Sequence, residues 1–244
     1  MSALALDEDY HVHSTFSDDA VSTVAENVAA ARDRGLRTLC LADHVRRDTA
    51  WVPELAATVA AYRDQRGPRV LAGVETKILD TAGRLDLPAV LDGIDVVLIS
   101  DHQFPADDGP AHPDLVRAAI GDGELTAVAA IEQLCEATGN AVSQTDRGRL
   151  LAHLFSLLPK LGLDESMVPQ PVLDRLAARV ARSGSMVEVN EKWACPSART
   201  VAAMLRAGVP VVAGSDSHHC GGVGVYRSVR QTAHQLTAGA GGLA

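Results

Sequence analysis

Short apolar segments alternate with longer amphipathic segments along the whole chain, and this alternation limits the available folds more than any other feature. Seven apolar segments have the length of strands: Tyr10–His13, Thr38–Ala42, Val70–Val74, Val96–Ser100, Leu150–His153, Met186–Asn190 and Val211–Ser215. Helical 3.6-residue periodicity marks the segments Val21–Arg34, Pro53–Arg66, Leu125–Gly139, Pro171–Ser183 and Ser197–Ala207. The series predicts an α/β protein with parallel strands joined by helices.

Two parallel architectures fit this order of elements. An open doubly wound sheet normally carries a glycine-rich loop after its first strand, and the segment "HVHSTFSDD" contains no glycine. We therefore expect a closed or nearly closed barrel with an outer ring of helices. With 244 residues, the chain is expected to form one domain, residues 1–244, in which the Gly/Ala-rich residues 238–244 form a disordered tail.

Composition excludes several classes of partner. The net charge of −9 and the pI near 5.4 argue against nucleic acid or an anionic membrane. No apolar run reaches the length of a membrane-spanning helix, and no basic, apolar leader is seen. The four cysteines form no C-x-x-C pair, so a reduced, cytoplasmic location is expected.

Polar side chains mark the end of every predicted strand. In chain order they are His11 and His13, Asp43 and His44, Glu75, Asp101 and His102, His153, Asn190, and finally Asp216, His218 and His219. In a parallel barrel the carboxyl ends of all strands lie on one face, where active sites are built. Side chains two residues apart on a strand point to the same side, so His11 and His13 can bind together, as can Asp216 and His218. The pattern predicts a metal site.

These motifs, in the order "HVHSTFSD … ADH … GVE … SDH … LAH … EVN … GSDSH", resemble the PHP family, the polymerase and histidinol phosphatase superfamily. The resemblance runs from about Asp9 to about Tyr226. It implies a distorted (β/α)7 TIM-like barrel that holds two or three divalent metal ions and hydrolyses phosphoesters. A small-molecule phosphomonoester is the expected substrate, as in a histidinol-phosphatase-like enzyme.

The resemblance also implies a set of ligands. One metal would take His11, His13, Glu75 and Asp216; a second would take Glu75, His102 and His153; a third would take Asp18, His44 and His218. Asp18 is preferred over Asp19 because the family often has Ser-Asp-Gly where this chain has Ser17-Asp18-Asp19. The family usually has proline after the motif of His153, and the different residues here predict a different loop.

The implied chemistry uses a hydroxide that bridges two metals as the nucleophile. Glu75, Asp216 and His218 would take part in catalysis as ligands. The acid that protonates the leaving group is open between metal-bound water, Asp43 and His219, and Asp43 is equally a candidate for orienting a ligand histidine. Histidine and carboxylate ligands without thiolates suit Mn²⁺, Fe²⁺ or Zn²⁺.

Basic and polar residues just beyond the strand ends are candidates for binding substrate: Arg46, Lys192, Asn190 and Arg227. Trp51 and Trp193 are candidates for the pocket wall. Two other functions fit the same residues. One is a metal-dependent hydrolase of an amide or lactone, and the other is a metal-binding accessory module without catalytic activity. The sequence does not predict an oligomeric state.

Overall fold

Seven parallel strands form the centre of the molecule. The computed structural model describes residues 4–63 and 65–240. The chain contains nine strands within that part: β1 (Glu8–Val12), β2 (Thr38–His44), β3 (Arg69–Lys77), β4 (Val96–Ser100), β5 (Phe104–Ala106), β6 (Gly109–Ala111), β7 (Gly148–Leu151), β8 (Met186–Asn190) and β9 (Val211–Gly214). The parallel sheet has the order β1-β2-β3-β4-β7-β8-β9, and β5 and β6 form a separate antiparallel hairpin.

Helices cover the outside of this sheet. They are α1 (Val24–Asp33), α2 (Val52–Ala60), α3 (Pro113–Gly121), α4 (Ala127–Ala141), α5 (Gln170–Ser183), α6 (Ala198–Arg206) and α7 (Ser228–Ala240). Local sequence fixes several boundaries. Thr23 and Glu26 form a reciprocal capping box at the start of α1, and Thr126 and Ser197 cap α4 and α6. Gly184, with φ of 70°, ends α5 in the left-handed conformation that glycine adopts readily.

The sheet closes where β9 meets β1. Asp216 donates its backbone N–H to His11 O at 2.8 Å, and His13 donates its N–H to Ser217 O at 2.9 Å. The buried carboxylate of Asp9 stabilises this seam, since it accepts N–H bonds from Ser215 at 2.9 Å and from Gly224 at 2.8 Å. The predicted (β/α)7 TIM-like barrel is therefore confirmed.

Successive residues of a strand point alternately into two different apolar layers. Leu39 and Leu41 of β2 belong to the large core between the sheet and the helices, whereas Cys40 and Ala42 belong to a small cluster inside the barrel. The same inner cluster contains Leu98 of β4, with further members from β3, β7 and β9. Side chains two or four positions further along the same strand point to the same side. At the carboxyl ends of the strands, such residues therefore also face the barrel interior.

Some elements differ from those expected. The sequence did not predict α3, α7 or the β5–β6 hairpin. Helix α7 extends to Ala240, so the first three residues of the predicted disordered tail, 238–240, are helical, and 241–244 lie outside the described residues. No helix in the described part of the chain combines the length and the apolar character needed to cross a bilayer.

Candidate metal centre

Glu75, at the carboxyl end of β3, lies at the centre of a group of imidazoles inside the barrel. Its two carboxylate oxygens lie 2.8 Å from His44 Nδ1, 2.9 Å from His153 Nε2, 3.1 Å from His102 Nε2 and 3.4 Å from His11 Nε2. His44 lies on β2 and His11 on β1, and His153 and His102 lie just beyond the ends of β7 and β4. The strand ends thus bring together side chains that are far apart in the sequence.

Asp216, directly after β9, forms a second centre beside the first. Its Oδ1 lies 3.4 Å from His13 Nε2 and 3.6 Å from His218 Nδ1, and it pairs with Lys192 Nζ at 3.2 Å. Trp193 donates its indole N–H to the other oxygen of Asp216, Oδ2, at 3.0 Å. Asp216 has a φ of 53°, a left-handed conformation that is uncommon for a residue with a side chain and that occurs often at functional sites.

The acid that reaches this centre from the β1–α1 loop is Asp19. Its Oδ2 lies 3.1 Å from His218 Nε2 and 3.6 Å from His44 Nε2. Asp18, which the sequence favoured as the ligand, lines the same cavity without an ion pair among the described residues. The geometry therefore favours Asp19, the alternative to Asp18, as the acid of this group. The turn at 15–19 aims the second of the two adjacent carboxylates at the histidines.

The charges of the site are strongly coupled. Burial by itself would raise the pKa of the Glu75 carboxyl, but the imidazoles of His102 and His11 hold it well below its usual range. Burial likewise disfavours the charged form of His153, and its hydrogen bonds to Asp101 and Glu75 nevertheless raise its pKa to about 10. Glu75 and His153 thus stabilise each other's charged forms, whereas burial lowers the pKa of the neighbouring His13 to about 3.

The donor set fits divalent cations. Glu75 Oε2 is fully buried and has no hydrogen bond of regular geometry among the described residues, although His44 Nδ1 lies 2.8 Å away. In addition, His11 Nε2 and His13 Nε2 face each other at 3.0 Å. Converging nitrogen lone pairs and an unpaired buried carboxylate oxygen are the arrangement that metal ligands adopt. Three ligand groups are closely spaced: His11, His13 and Glu75; His44, Glu75 and His102; His13, His44 and His218.

An open cavity of about 390 Å³ leads to these ligands. His44 and His102 are 31% and 33% exposed in it, whereas His11, His13 and His153 are buried behind them. Arg46, Lys192 and Trp193 line the cavity, as the sequence predicted, and Trp51 does not; it packs against Phe16, with 5.3 Å between ring centroids. Lys77 and Gln103, which the sequence reasoning missed, also line it.

Asp43 does not face this cavity. Its carboxylate is buried under the β1–α1 loop, where it accepts hydrogen bonds from the backbone N–H and hydroxyl groups of Ser14 and Ser17 at 2.7–3.1 Å. Burial raises the pKa of Asp43, and the bonds from the two serines act in the opposite direction. Of the two roles considered for Asp43, this placement favours support of a ligand histidine over protonation of the leaving group, since Ser17 Oγ also lies 3.3 Å from His13 Nδ1. Asp43 fixes the loop between the first two ligand-bearing strands.

Three more expected residues lie elsewhere. Asn190 is buried and bonds to Glu188 and to the backbone N–H of Trp193, so it supports the cavity wall from behind. Arg227 is exposed at the start of α7, and its backbone N–H bonds to Glu191. His219 is exposed, and its Nδ1 accepts the N–H of Gly221. None of the three lines the cavity, so this geometry does not favour Asn190 or Arg227 for binding substrate, or His219 among the candidates for the leaving-group acid.

Asp101, whose role the sequence left unassigned, supports His153 from behind. It accepts bonds from Ser156 Oγ at 2.8 Å and from the N–H of Phe155 at 3.1 Å, and Ser156 Oγ lies 3.0 Å from His153 Nδ1. His153 and Phe155 both have positive φ, 30° and 74°. Asp101 therefore stabilises a strained turn that directs His153 toward Glu75. The sequence signal that could have identified Asp101 is its position beside His102, directly after an apolar strand.

Fold and site together define a TIM-like barrel with a histidine- and carboxylate-rich centre at the carboxyl ends of its strands. The family model described as "PHP domain" matches residues 9–192. The chain belongs to the PHP domain family, as its motifs predicted.

Relatives and solved structures of the same kind are similar to this chain. A protein of Thermoanaerobacter sp. (strain X514) named "Probable phosphatase" is 34% identical over 41% of this chain and 43% of its own length. Another protein of that name, from Vibrio vulnificus (strain YJ016), is 32% identical over 49% of this chain and 50% of its own length. The chain thus spans about half the length of the curated relatives it matches.

The fold is similar to that of histidinol phosphate phosphatase from Lactococcus lactis subsp. lactis Il1403. The TM-score is 0.64 at 18% identity, and the alignment covers 96% of this chain and 93% of the other. That protein was solved in complex with zinc, L-histidinol and phosphate. At 18% sequence identity, this similarity shows a shared fold and nothing further.

Proposed function

We propose that this protein is a metal-dependent phosphoesterase that hydrolyses a small-molecule phosphomonoester. One observation carries the proposal: a cavity of about 390 Å³ combines the Glu75-centred ligands with the cationic residues Arg46, Lys77 and Lys192. A cavity of this size accommodates a small molecule rather than a polymer. Cations beside a metal-ligand cluster suit a substrate whose reacting end is an anionic phosphate.

The ligands divide among two or three divalent ions of Mn, Fe or Zn. His11, His13, Glu75 and Asp216 would hold one; Glu75, His102 and His153 a second; and Asp19, His44 and His218 a third. When bound, such ions supply a water-derived nucleophile at neutral pH and neutralise charge on the phosphoryl oxygens. Glu75 is the residue common to two sets, and its contacts with His11 of the first set and with His102 and His153 of the second support this assignment.

The residues of the cavity bind and orient the substrate. Lys192 is 45% exposed and lies 3.2 Å from Asp216 Oδ1, so its ammonium group is positioned at the boundary between the ligands and the open cavity. Lys77 follows Glu75 by two residues on β3, which places both side chains on the same face of the strand. These cations would bind phosphate oxygens, and Gln103 and Trp193 would contact the rest of the molecule.

Similar proteins support this class of reaction. The curated relatives are named as probable phosphatases, and the structural neighbour from L. lactis binds zinc, L-histidinol and phosphate. A phosphomonoester of a small alcohol is accordingly the first substrate class to test here.

The test is a metal-dependent hydrolysis screen. Protein stripped with a chelator would be reloaded with Mn²⁺, Fe²⁺ or Zn²⁺ and offered phosphomonoesters, phosphodiesters, lactones and cyclic amides. We expect metal-dependent phosphate release from a phosphomonoester, with competitive inhibition by inorganic phosphate. Hydrolysis of a lactone or amide without any phosphate release would instead identify a different hydrolase, and metal binding without hydrolysis would identify an accessory module.

Lys192→Ala tests whether Lys192 binds the phosphate group of the substrate. Because a cation that binds the phosphate before and during the reaction contributes uniform binding, this change should raise KM about tenfold and change kcat less. Lys160→Ala is the matched control, since Lys160 Nζ lies 4.5 Å from the Trp193 ring centroid but does not line the cavity. Equal effects of the two substitutions would contradict a role of Lys192 in binding substrate.

A further inference from the structure

Glu188, in the middle of β8, is a fully buried carboxylate directly beneath the candidate metal ligands. Its Oε1 and Oε2 lie 3.1 and 3.2 Å from His11 Nδ1, and Oε2 also accepts the backbone N–H of His153 at 2.7 Å. Asn190 donates its side-chain amide to Oε1 at 3.0 Å. Glu188 therefore touches one residue from each of the two ligand sets that share Glu75.

The barrel has space for this carboxylate because position 214 is glycine. A Cβ atom at Gly214 would lie 1.8 Å from Glu188 Oε1 and 2.8 Å from His11 Cβ. No side chain at 214 can coexist with Glu188 in this position, since real Cβ contacts are never this short. The surrounding inner layer is aliphatic, with Cys40, Leu98 and Leu150 among its members. A buried carboxylate there requires all its hydrogen bonds to be made.

We infer that Glu188 is a positioning residue that sets the tautomer of His11 and holds the backbone of His153, so that both ligands are ready for metal. Its other two partners, the amide of Asn190 and the N–H of His153, can only donate. A carboxylate only accepts, so His11 Nδ1 carries a proton and Nε2 is the ring nitrogen left to bind a metal ion. Nε2 is on the side of Glu75, whose Oε2 lies 3.4 Å away.

The second contact acts on the backbone. His153 has a φ of 30°, a conformation that a residue with a side chain adopts only when the surroundings stabilise it. The 2.7 Å bond from its N–H to Glu188 is one such contact, and Asp101 supplies others through Phe155 and Ser156. Glu188 thereby links the strand that bears His11 to the turn that bears His153.

Glu188→Gln tests this role, because glutamine has nearly the same volume but cannot accept on both ends. Whichever way the amide points, its NH2 group faces a donor, either His153 N–H or Asn190 Nδ2. The inference rests on the proposed metal site, so the probe is Zn²⁺ alone, titrated against a chromophoric chelator. We expect the affinity of the variant for Zn²⁺ to fall roughly 10- to 100-fold relative to wild type, the range for losing a partner of a metal-bound histidine.

Glu191→Gln is the matched control. Glu191 is the next acid along the chain and also accepts backbone N–H bonds, from Arg227 at 2.8 Å and Val229 at 3.0 Å, away from the ligands. The control should bind Zn²⁺ as wild type does. Wild-type affinity in Glu188→Gln would overturn the inference while leaving the metal site intact, whereas a wild-type protein that binds no Zn²⁺ would remove both.

A second measurement needs no variant. In the Zn²⁺-loaded wild type labelled with ¹⁵N-histidine, proton–nitrogen correlation spectra identify which nitrogen of each ring is bound to metal. We expect His11 to bind through Nε2 and to show a protected Nδ1 proton bonded to Glu188. Metal bound through Nδ1 of His11 would overturn the inference even if Glu188→Gln fails to fold.

Discussion

The indole N–H of Trp193 and the Oδ2 oxygen of Asp216 are 3.0 Å apart, so an aromatic residue of the cavity wall is bonded directly to a candidate metal ligand. Trp193 is 39% exposed, and its backbone N–H is held by Asn190 Oδ1. The ring is thus both rigidly placed and open to solvent. This geometry makes Trp193 a natural reporter of events at Asp216.

We predict that metal binding can be followed by the fluorescence of Trp193. The chain has only two tryptophans, so Trp51→Phe leaves Trp193 as the single emitter. Paramagnetic Mn²⁺ near Asp216 should quench that emission, and the quenching should saturate at the stoichiometry of binding. In Trp193→Phe the remaining Trp51 should respond weakly, because it packs against Phe16. Unchanged emission in Trp51→Phe with Mn²⁺ bound would contradict the placement of a cation at Asp216.

Glu75→Gln should lose two metal ions together rather than one. The reason is that Glu75 is a member of both proposed sets and contacts a histidine of each, His11 and His153. Elemental analysis after reconstitution measures the loss, and Glu54→Gln, on the exposed side of α2, is a suitable control. The far-ultraviolet circular dichroism should be unchanged, since the apolar cores of the barrel do not involve Glu75. Loss of folded protein would point to a structural role for Glu75.

Asp19→Asn and Asp18→Asn form a matched pair in adjacent positions. Because Asp19 is the member of this pair that lies beside His44 and His218, its substitution should weaken binding of the third ion about tenfold or more and leave the other two ions in place. Asp18→Asn should bind metal as wild type does. Isothermal titration with Mn²⁺ measures both variants, and the reverse ranking would restore Asp18 as the ligand.

Asp43→Asn should retain activity within a few-fold of wild type. Its amide oxygen can still accept the N–H bonds of Ser14 and Ser17, and its NH2 group can donate to the hydroxyl of Ser14. Asp43→Ala should reduce the free energy of unfolding by about 1–3 kcal/mol for each buried donor left without an acceptor. Urea denaturation and steady-state kinetics check the two variants. Abolition of kcat in a stable Asp43→Asn protein would show that Asp43 transfers a proton after all.

The barrel could be predicted from the sequence because its strands are short apolar segments that end in polar residues. β4 and β8 occur with the predicted boundaries, and the other five parallel strands differ by a few residues. Helix α3 was missed; it is nine residues long, and Val116 is its only buried residue, so it contributes little to the core. The β5–β6 hairpin is three residues long in each strand, too short for a recognisable alternation.

The grouping of histidines and carboxylates could be predicted because these side chains stand at the strand ends, and Asp43 was considered as a supporting residue. Glu188 could not be predicted in that role. Glu188 stands between Val187 and Val189, where a polar residue on a strand normally indicates a solvent-facing side. Only closure of the barrel turns that side inward. The choice between Asp18 and Asp19 depends on the conformation of a turn, which a one-residue difference in sequence does not reveal.

The seam between β1 and β9 also determines when the centre can form. His11 lies on the first strand of the barrel and His13 directly follows it, whereas Asp216 and His218 follow the last strand, so the proposed ligands of one ion come from opposite edges of the sheet before it closes. During synthesis on the ribosome, a nascent chain would display the early histidines long before Asp216 emerges. Metal capture at the complete centre would thus mark the end of folding, and a chain interrupted before β9 would be expected to bind its ions weakly.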